Sequence, residues 1–295
     1  MPSPQVGIFA PPGAHQHHAE LRLKTGVVAR DLRSALTQAI RSSQISPVVG
    51  FSRQMWAELA GFAPPVNDFV PISGAGGWRA PSTQADLWVW FQADTRDAAH
   101  DAMRGFLSLM SAHCDVALDV TVFTRAGNRD LTGFIDGTAN PKEDARFDAA
   151  LIPRDQLGSG GSVALTQTWE HDLKRFEALP VAVQEAVIGR TKVDDIELEG
   201  DDMPPDSHVS RTDVKLDGQA LKIFRRSAPF ATATGGGLHF VAFACHQDRL
   251  SIQLRRMFGA WHDGLHDRLI EYSRPVSGSY WFVPSVEDLA KVTHG

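Results

Sequence analysis

The sequence predicts an α+β protein, with antiparallel sheets carrying helices on one face, and three observations support this. Short apolar runs rich in β-branched and aromatic residues alternate with stretches whose apolar residues recur at helical spacing. The same strand, turn and helix grammar returns in the second half, about 150 residues after the first. The 295 residues, 43% hydrophobic and 22% charged, have ordinary globular composition and enough length for two moderate domains.

Residues 19 to 27 read as a strand, and Val28 to Ser43 follows with Leu32, Ala35, Leu36, Ala39 and Ile40 at helical spacing. Pro47 to Phe51 is a short buried strand, and a helical turn at Met55 to Leu59 leads into a Gly/Pro-rich loop from Gly61 to Pro81. Leu87-Trp88-Val89-Trp90-Phe91 predicts a central strand, Asp94 an N-cap, and Thr95 to Ala112 the helix that follows. Asp115 to Phe123 supplies another strand. The small, polar run Thr124-Arg125-Ala126-Gly127-Asn128 places a boundary between a first domain, 1–128, and a second, 129–295. In the second, Leu238 to Ala244 is an apolar strand, Asp248 opens a helix carrying Leu250, Leu254 and Met257, and Ile223-Phe224 and Tyr280 to Val283 are short strands.

The formal charge of -6 and pI near 6.0, with no block of lysine or arginine, argue against nucleic acid as a partner. Only Cys114 and Cys245 occur, too few for a disulfide framework, which fits a reducing compartment with both thiols packed as small apolar groups. Met1 to Pro12 lacks the basic head and unbroken apolar stretch of a secretory leader. No segment approaches the roughly 18 unbroken apolar residues that span a bilayer. The expectation is a soluble, cytoplasmic protein.

The run Thr132-Gly133-Phe134-Ile135-Asp136-Gly137-Thr138-Ala139-Asn140-Pro141 holds one carboxylate between glycines and ahead of a proline, so its loop aims Asp136. Asp-Gly is also an ordinary turn signal. Most of the twelve histidines have plain readings. His15, His17 and His18 sit in what reads as a loose, exposed N-terminal segment without partners at ligand spacing. His262 and His266 lack the intervening glutamate of a zinc protease, and Gly264 weakens the helix that such a site needs. His208 stands in a loop-like stretch, Pro204 to Arg211, without apolar periodicity. Arg225 and Arg226 follow a strand-like run, where alternation turns one inward and the other to solvent. Val187-Ile188-Gly189-Arg190 reads as a helix ending on a glycine, with a basic residue after it.

Gly-x-x-Asp-Gly followed by Thr-x-Asn-Pro resembles the signature of the dye-decolourising peroxidases, a family of haem enzymes. The His-Val pair at His208, Ile-x-Arg at Arg225, Ile-Gly-Arg-Thr-Lys at Arg190 and the Asp267 to Gly278 segment match it in order, most like the bacterial B-type subgroup. The resemblance implies two ferredoxin-like modules forming a barrel-like core with peripheral helices. It also implies one haem b per chain, hydrogen peroxide and a small-molecule reductant such as a dye, a phenol or manganese as partners, and a homo-oligomer. By the same resemblance His208 is the iron ligand, with His239 and His246 next in line, and Asp267 holds its other nitrogen, with Asp263 as competitor. Asp136 and Arg225 face the peroxide and Arg190 pairs with a haem propionate. Ser227 stands where many members carry asparagine. The rival reading is a protein that carries haem or releases its iron, which gives no reason for an aimed carboxylate beside an arginine.

Overall fold

The computed structural model describes residues 2–293. Its first half runs β1 (His15–Leu23), α1 (Ala29–Ser42), β2 (Val48–Phe51), α2 (Arg53–Ala60), β3 (Ile72–Ser73), β4 (Arg79–Ala80), β5 (Leu87–Ala93), α3 (Arg96–Met110) and β6 (Cys114–Phe123). The second half opens with α4 (Ala145–Ala150), β7 (Ser162–His171), α5 (Leu173–Glu177), α6 (Val181–Ile188) and α7 (His208–Thr212). It continues through β8 (Lys215–Leu216), β9 (Gln219–Ala220), β10 (Phe224–Arg225), β11 (Ala228–Ala231) and β12 (Gly236–Ala244). The chain then forms α8 (Asp248–Met257), β13 (Ser273–Pro275), β14 (Ser279–Val283) and α9 (Val286–Thr293).

One antiparallel sheet follows the path β10-β12-β7-β14-β2-β5-β1-β6, with β11 also on β12 and β13 also on β7. Within each half the spatial order is second, third, first, fourth strand: β2-β5-β1-β6 and β10-β12-β7-β14. That is the order of a ferredoxin-like β-α-β-β-α-β unit. The halves join through the pair Phe282 and Phe51 on β14 and β2. β11 returns beside β6, so the sheet nearly closes.

Strand alternation gives this sheet two buried faces. Inside the barrel, Trp88, Trp90, Trp281, Val241 and Phe243 pack together. On the outside, α1, α2 and α3 cover Ala19, Leu21, Val89 and Phe91, while Leu250 and Leu254 of α8 lie over Leu165 and Ala242. The candidate site lies on this outer face of the second half.

Four local expectations change. β1 begins at His15, so His17 and His18 are buried rather than loose and exposed. Successive pleat positions send Gln16 and His18 toward the barrel tryptophans and Ala19 and Leu21 toward the helices. The N-cap of α3 is Thr95, whose hydroxyl accepts from the Ala98 N–H, and not Asp94. β7 was not expected because Ser162, Thr166, Gln167 and Thr168 break up its apolar run, yet it is buried along eight successive positions at the centre of its half. Arg226 does not extend freely into solvent: it is partly buried, with its guanidinium over the Trp90 ring and donating to the Ala10 carbonyl and to Gln92.

Candidate active site

A cavity opens between β7, β12, α7, α8 and the loop before α4, and Asp136, Arg190, His208 and Arg225 all line it. The loop is a short hairpin. Arg129 bridges Ile135, the Asp130 N–H donates to the Phe134 carbonyl, and the Asp136 N–H donates to Asn128. Gly133 and Gly137 both have positive φ, at 90° and 82°, which lets the hairpin turn tightly and then leave Asp136 at its end. The Gly137 N–H donates to Asp136 Oδ1 at 2.7 Å, and Asn128 Nδ2 donates to the Asp136 carbonyl at 2.6 Å. Arg225 Nη1 stands 3.6 Å from Asp136 Oδ1, inside ion-pair range but beyond a good hydrogen bond.

Asn140 fixes the second member of this pair. Its amide oxygen accepts the Arg225 N–H at 2.8 Å and its Nδ2 donates to the Arg225 carbonyl at 2.9 Å, so one side chain imitates a neighbouring strand. Proline at 141 disfavours helical geometry at Asn140. The Thr138 hydroxyl donates to Asp195, which ties the same loop to the turn after Arg190.

His208 is the first residue of a helical turn rather than a loop residue, because the Ser207 hydroxyl accepts the Ser210 N–H and starts α7. Asp267 is fully buried, and its Oδ2 lies 2.6 Å from His208 Nδ1. Its other oxygen accepts the Leu269 N–H at 2.8 Å, so both are committed. His208 Nε2 keeps no protein partner among the described residues. The competitor Asp263 belongs to Arg211, which grips it with two hydrogen bonds of 2.8 and 3.0 Å; these hold its carboxyl below the ordinary range despite some burial. The reserve histidines stand elsewhere. His239 is inside the barrel, bonded to Thr168, and His246 is exposed beside Asp248.

Arg190 follows Gly189, whose φ of 93° ends α6 as expected. Its guanidinium donates to the Asp195 carbonyl at 2.8 Å and pairs with Glu197. Ser227 lies outside this cavity, in an adjoining cleft that shares Asp136 and Arg225 with it, and its hydroxyl accepts the Val241 N–H at 3.4 Å. Gln167 is a residue that sequence reasoning passed over. It is fully buried on β7, lines the cavity, and neither end of its amide has a partner among the described residues.

These residues fit a haem group. Leu165, Leu238, Phe240, Leu254, Met257 and Ile270 supply apolar wall for a flat macrocycle. A neutral imidazole supported from behind by a carboxylate is the donor that haem iron takes. A buried amide without a partner calls for a polar group in the cavity itself.

The comparisons agree. The chain matches the family model "Dyp-type peroxidase, N-terminal" over residues 15–124 and "Dyp-type peroxidase, C-terminal" over 127–288. It is 34% identical over 256 residues to a dye-decolorizing peroxidase of Mycobacterium tuberculosis H37Rv, covering 84% of this chain and 76% of that one. A dyp-type peroxidase structure from Shewanella oneidensis superposes with a TM-score of 0.91 at 28% identity, over 99% of each chain. A variant of DypB from Rhodococcus jostii RHA1 in complex with heme gives 0.89 at 31% identity, over 98% of this chain and 99% of that one. With both family models matched in order and an apolar-walled cavity lined by Asp136, His208 and Arg225, this chain belongs to the Dyp-type peroxidase family and is a haem-dependent peroxidase.

Proposed function

We propose that His208 ligates the haem iron through Nε2, that Asp267 orients it, and that Asp136 and Arg225 act on hydrogen peroxide. The observation that carries this reading is the shared cavity: a carboxylate-backed imidazole and a loop-aimed carboxylate–arginine pair line one apolar space. Haem bound there supplies the redox centre that takes two oxidising equivalents from peroxide and returns them singly to a donor. Asp136 accepts a proton from one peroxide oxygen and delivers it to the other, so that the bond between them breaks with one oxygen leaving as water. Arg225 faces the negative charge that grows on the departing oxygen. Arg190 holds a propionate, for which it would share its guanidinium with Asp195 and Glu197.

Organic dyes and phenols are the donors in this reading, with manganese as an inorganic alternative. Division into modules 1–128 and 129–295, a cytoplasmic location and a homo-oligomer belong to the same proposal. The repeated strand order supports the first and two free cysteines support the second. No helix of the described residues is long and apolar enough to cross a membrane. The test is spectroscopic. Protein purified with haem should change its Soret band on mixing with peroxide and recover it when a phenol is added. A band that peroxide leaves unmoved overturns the reading.

A further inference from the structure

β7 ends on His171, whose side chain is nearly buried in the cavity wall and uses both ring nitrogens. Nε2 lies 3.2 Å from Asp130 Oδ1 and Nδ1 lies 2.7 Å from Ser273 Oγ. Asp130 belongs to the hairpin that ends on Asp136. Its Oδ2 accepts the Thr132 N–H at 3.1 Å and the Thr132 hydroxyl at 2.7 Å, and its backbone forms a rung with Phe134. Burial opposes ionisation of Asp130, yet the hydrogen bonds from His171 and Thr132 outweigh it and hold the carboxyl below its ordinary range. On the other side, Ser273 opens β13, reached from Asp267 through one short 3-10 turn that Asp267 itself caps. One buried imidazole therefore stands between the hairpin that presents Asp136 and the segment that begins behind His208.

We propose that His171 is a positioning residue that clamps the Asp136 hairpin to the Asp267–Ser273 segment and so fixes where Asp136 meets peroxide. The proposal rests on the site reading above. Most of the hairpin is only partly buried, with Asn128 exposed at its start, and it is tied to the rest of the protein by the Arg129 guanidinium on the Lys192 and Val193 carbonyls, by Thr138 on Asp195 and Asn140 on Arg225 just beyond Asp136, and by this clamp. The carboxylate–imidazole contact is largely shielded from water, where a hydrogen bond is worth more than at the surface.

His171→Phe removes both contacts and keeps a ring in the wall. In haem-free protein, hydrogen exchange at the amides of Gly133 and Asp136 should accelerate about 10-fold, the scale of one lost hydrogen bond. In haem-loaded protein the bimolecular rate with peroxide should fall roughly 10- to 100-fold, the scale of a misplacement near 1 Å. His171→Gln, which keeps a donor toward Asp130, should recover most of both. If the phenylalanine variant does not fold, Asp130→Asn and Ser273→Ala each test one contact by the same two readouts. Unchanged exchange overturns the proposal, and faster exchange with a wild-type peroxide rate overturns it too, by reducing His171 to a structural role. Asp136→Ala runs alongside: if that variant reacts at the wild-type rate the site reading itself fails, whereas the exchange result in haem-free protein still tests the clamp.

Discussion

In the proposed reaction a single proton travels from one peroxide oxygen to the other, so the side chain that carries it must be held within hydrogen-bond reach of both. Asp136→Ala should slow the reaction with peroxide by roughly 10² to 10⁴, the usual contribution of a positioned acid–base group. Arg225→Leu should do comparable or greater damage by leaving the growing charge uncompensated. Rapid mixing under excess peroxide measures both, and wild-type rates in the singles and the double would end the mechanism. At the ligand, His208→Ala should lose haem during purification, and Asp267→Asn should raise the iron(III)/iron(II) potential by making the imidazole less electron-rich. A potential equal to wild type would show that Asp267 only caps the turn at Leu269. At this scale the sequence shows the residues that sit inside one motif and hides those joined across the chain. Asp136 stands out between its glycines, whereas nothing local ties Asn140 to Arg225, 85 positions away. Asp263 and Asp267 are indistinguishable by spacing; they separate only when Arg211 folds onto the first.

Among the elements, α7 has the most functional weight for its length, since its five residues carry His208, the proposed iron ligand. So short a helix depends on its cap. Ser207→Ala should cost about 1 kcal/mol and loosen haem retention, readable as a lower melting temperature and a faster transfer of haem to an acceptor protein. A variant with unaltered haem transfer would mean that Asp267 alone orients the ring. Periodicity revealed α1, α3 and α8 because each buries one stripe against the sheet. It missed β7, where both faces are buried but meet different partners: Thr166 faces Glu20 inside the barrel while Leu165, Gln167 and Trp169 face the cavity. Polar residues on such a strand are not solvent-facing, and only the tertiary fold reveals what they meet.

For the whole molecule, the links between the two halves include one strand pair and a buried carboxylate. Glu20 on β1 is 1% exposed; Thr166 of β7 donates to one of its oxygens at 2.7 Å and Ser279 of β14 to the other at 2.9 Å. Burial drives its carboxyl up to about 7 against an ordinary 4.5, although both hydrogen bonds pull the other way. As pH rises the unfolded chain releases this proton first. The contribution is therefore whole below about 4.5, declines as pH climbs to about 7, and stays lost above, a change of about 3 kcal/mol. His239, which burial drives down to about 3, has the opposite sign: below pH 6.5 the unfolded chain takes up a proton that the folded chain refuses. The two overlap in mild acid, so the wild-type curve alone cannot separate them. Glu20→Gln does so, because the amide keeps one acceptor and one donor for Thr166 and Ser279 and removes a single titration. Denaturant melts of both proteins at pH 5 and pH 8 should show the variant gaining about 2–3 kcal/mol on wild type between the two. Parallel changes in the two proteins would mean that Glu20 meets water where the halves join, and that the junction rests on packing around Phe51 and Phe282 instead.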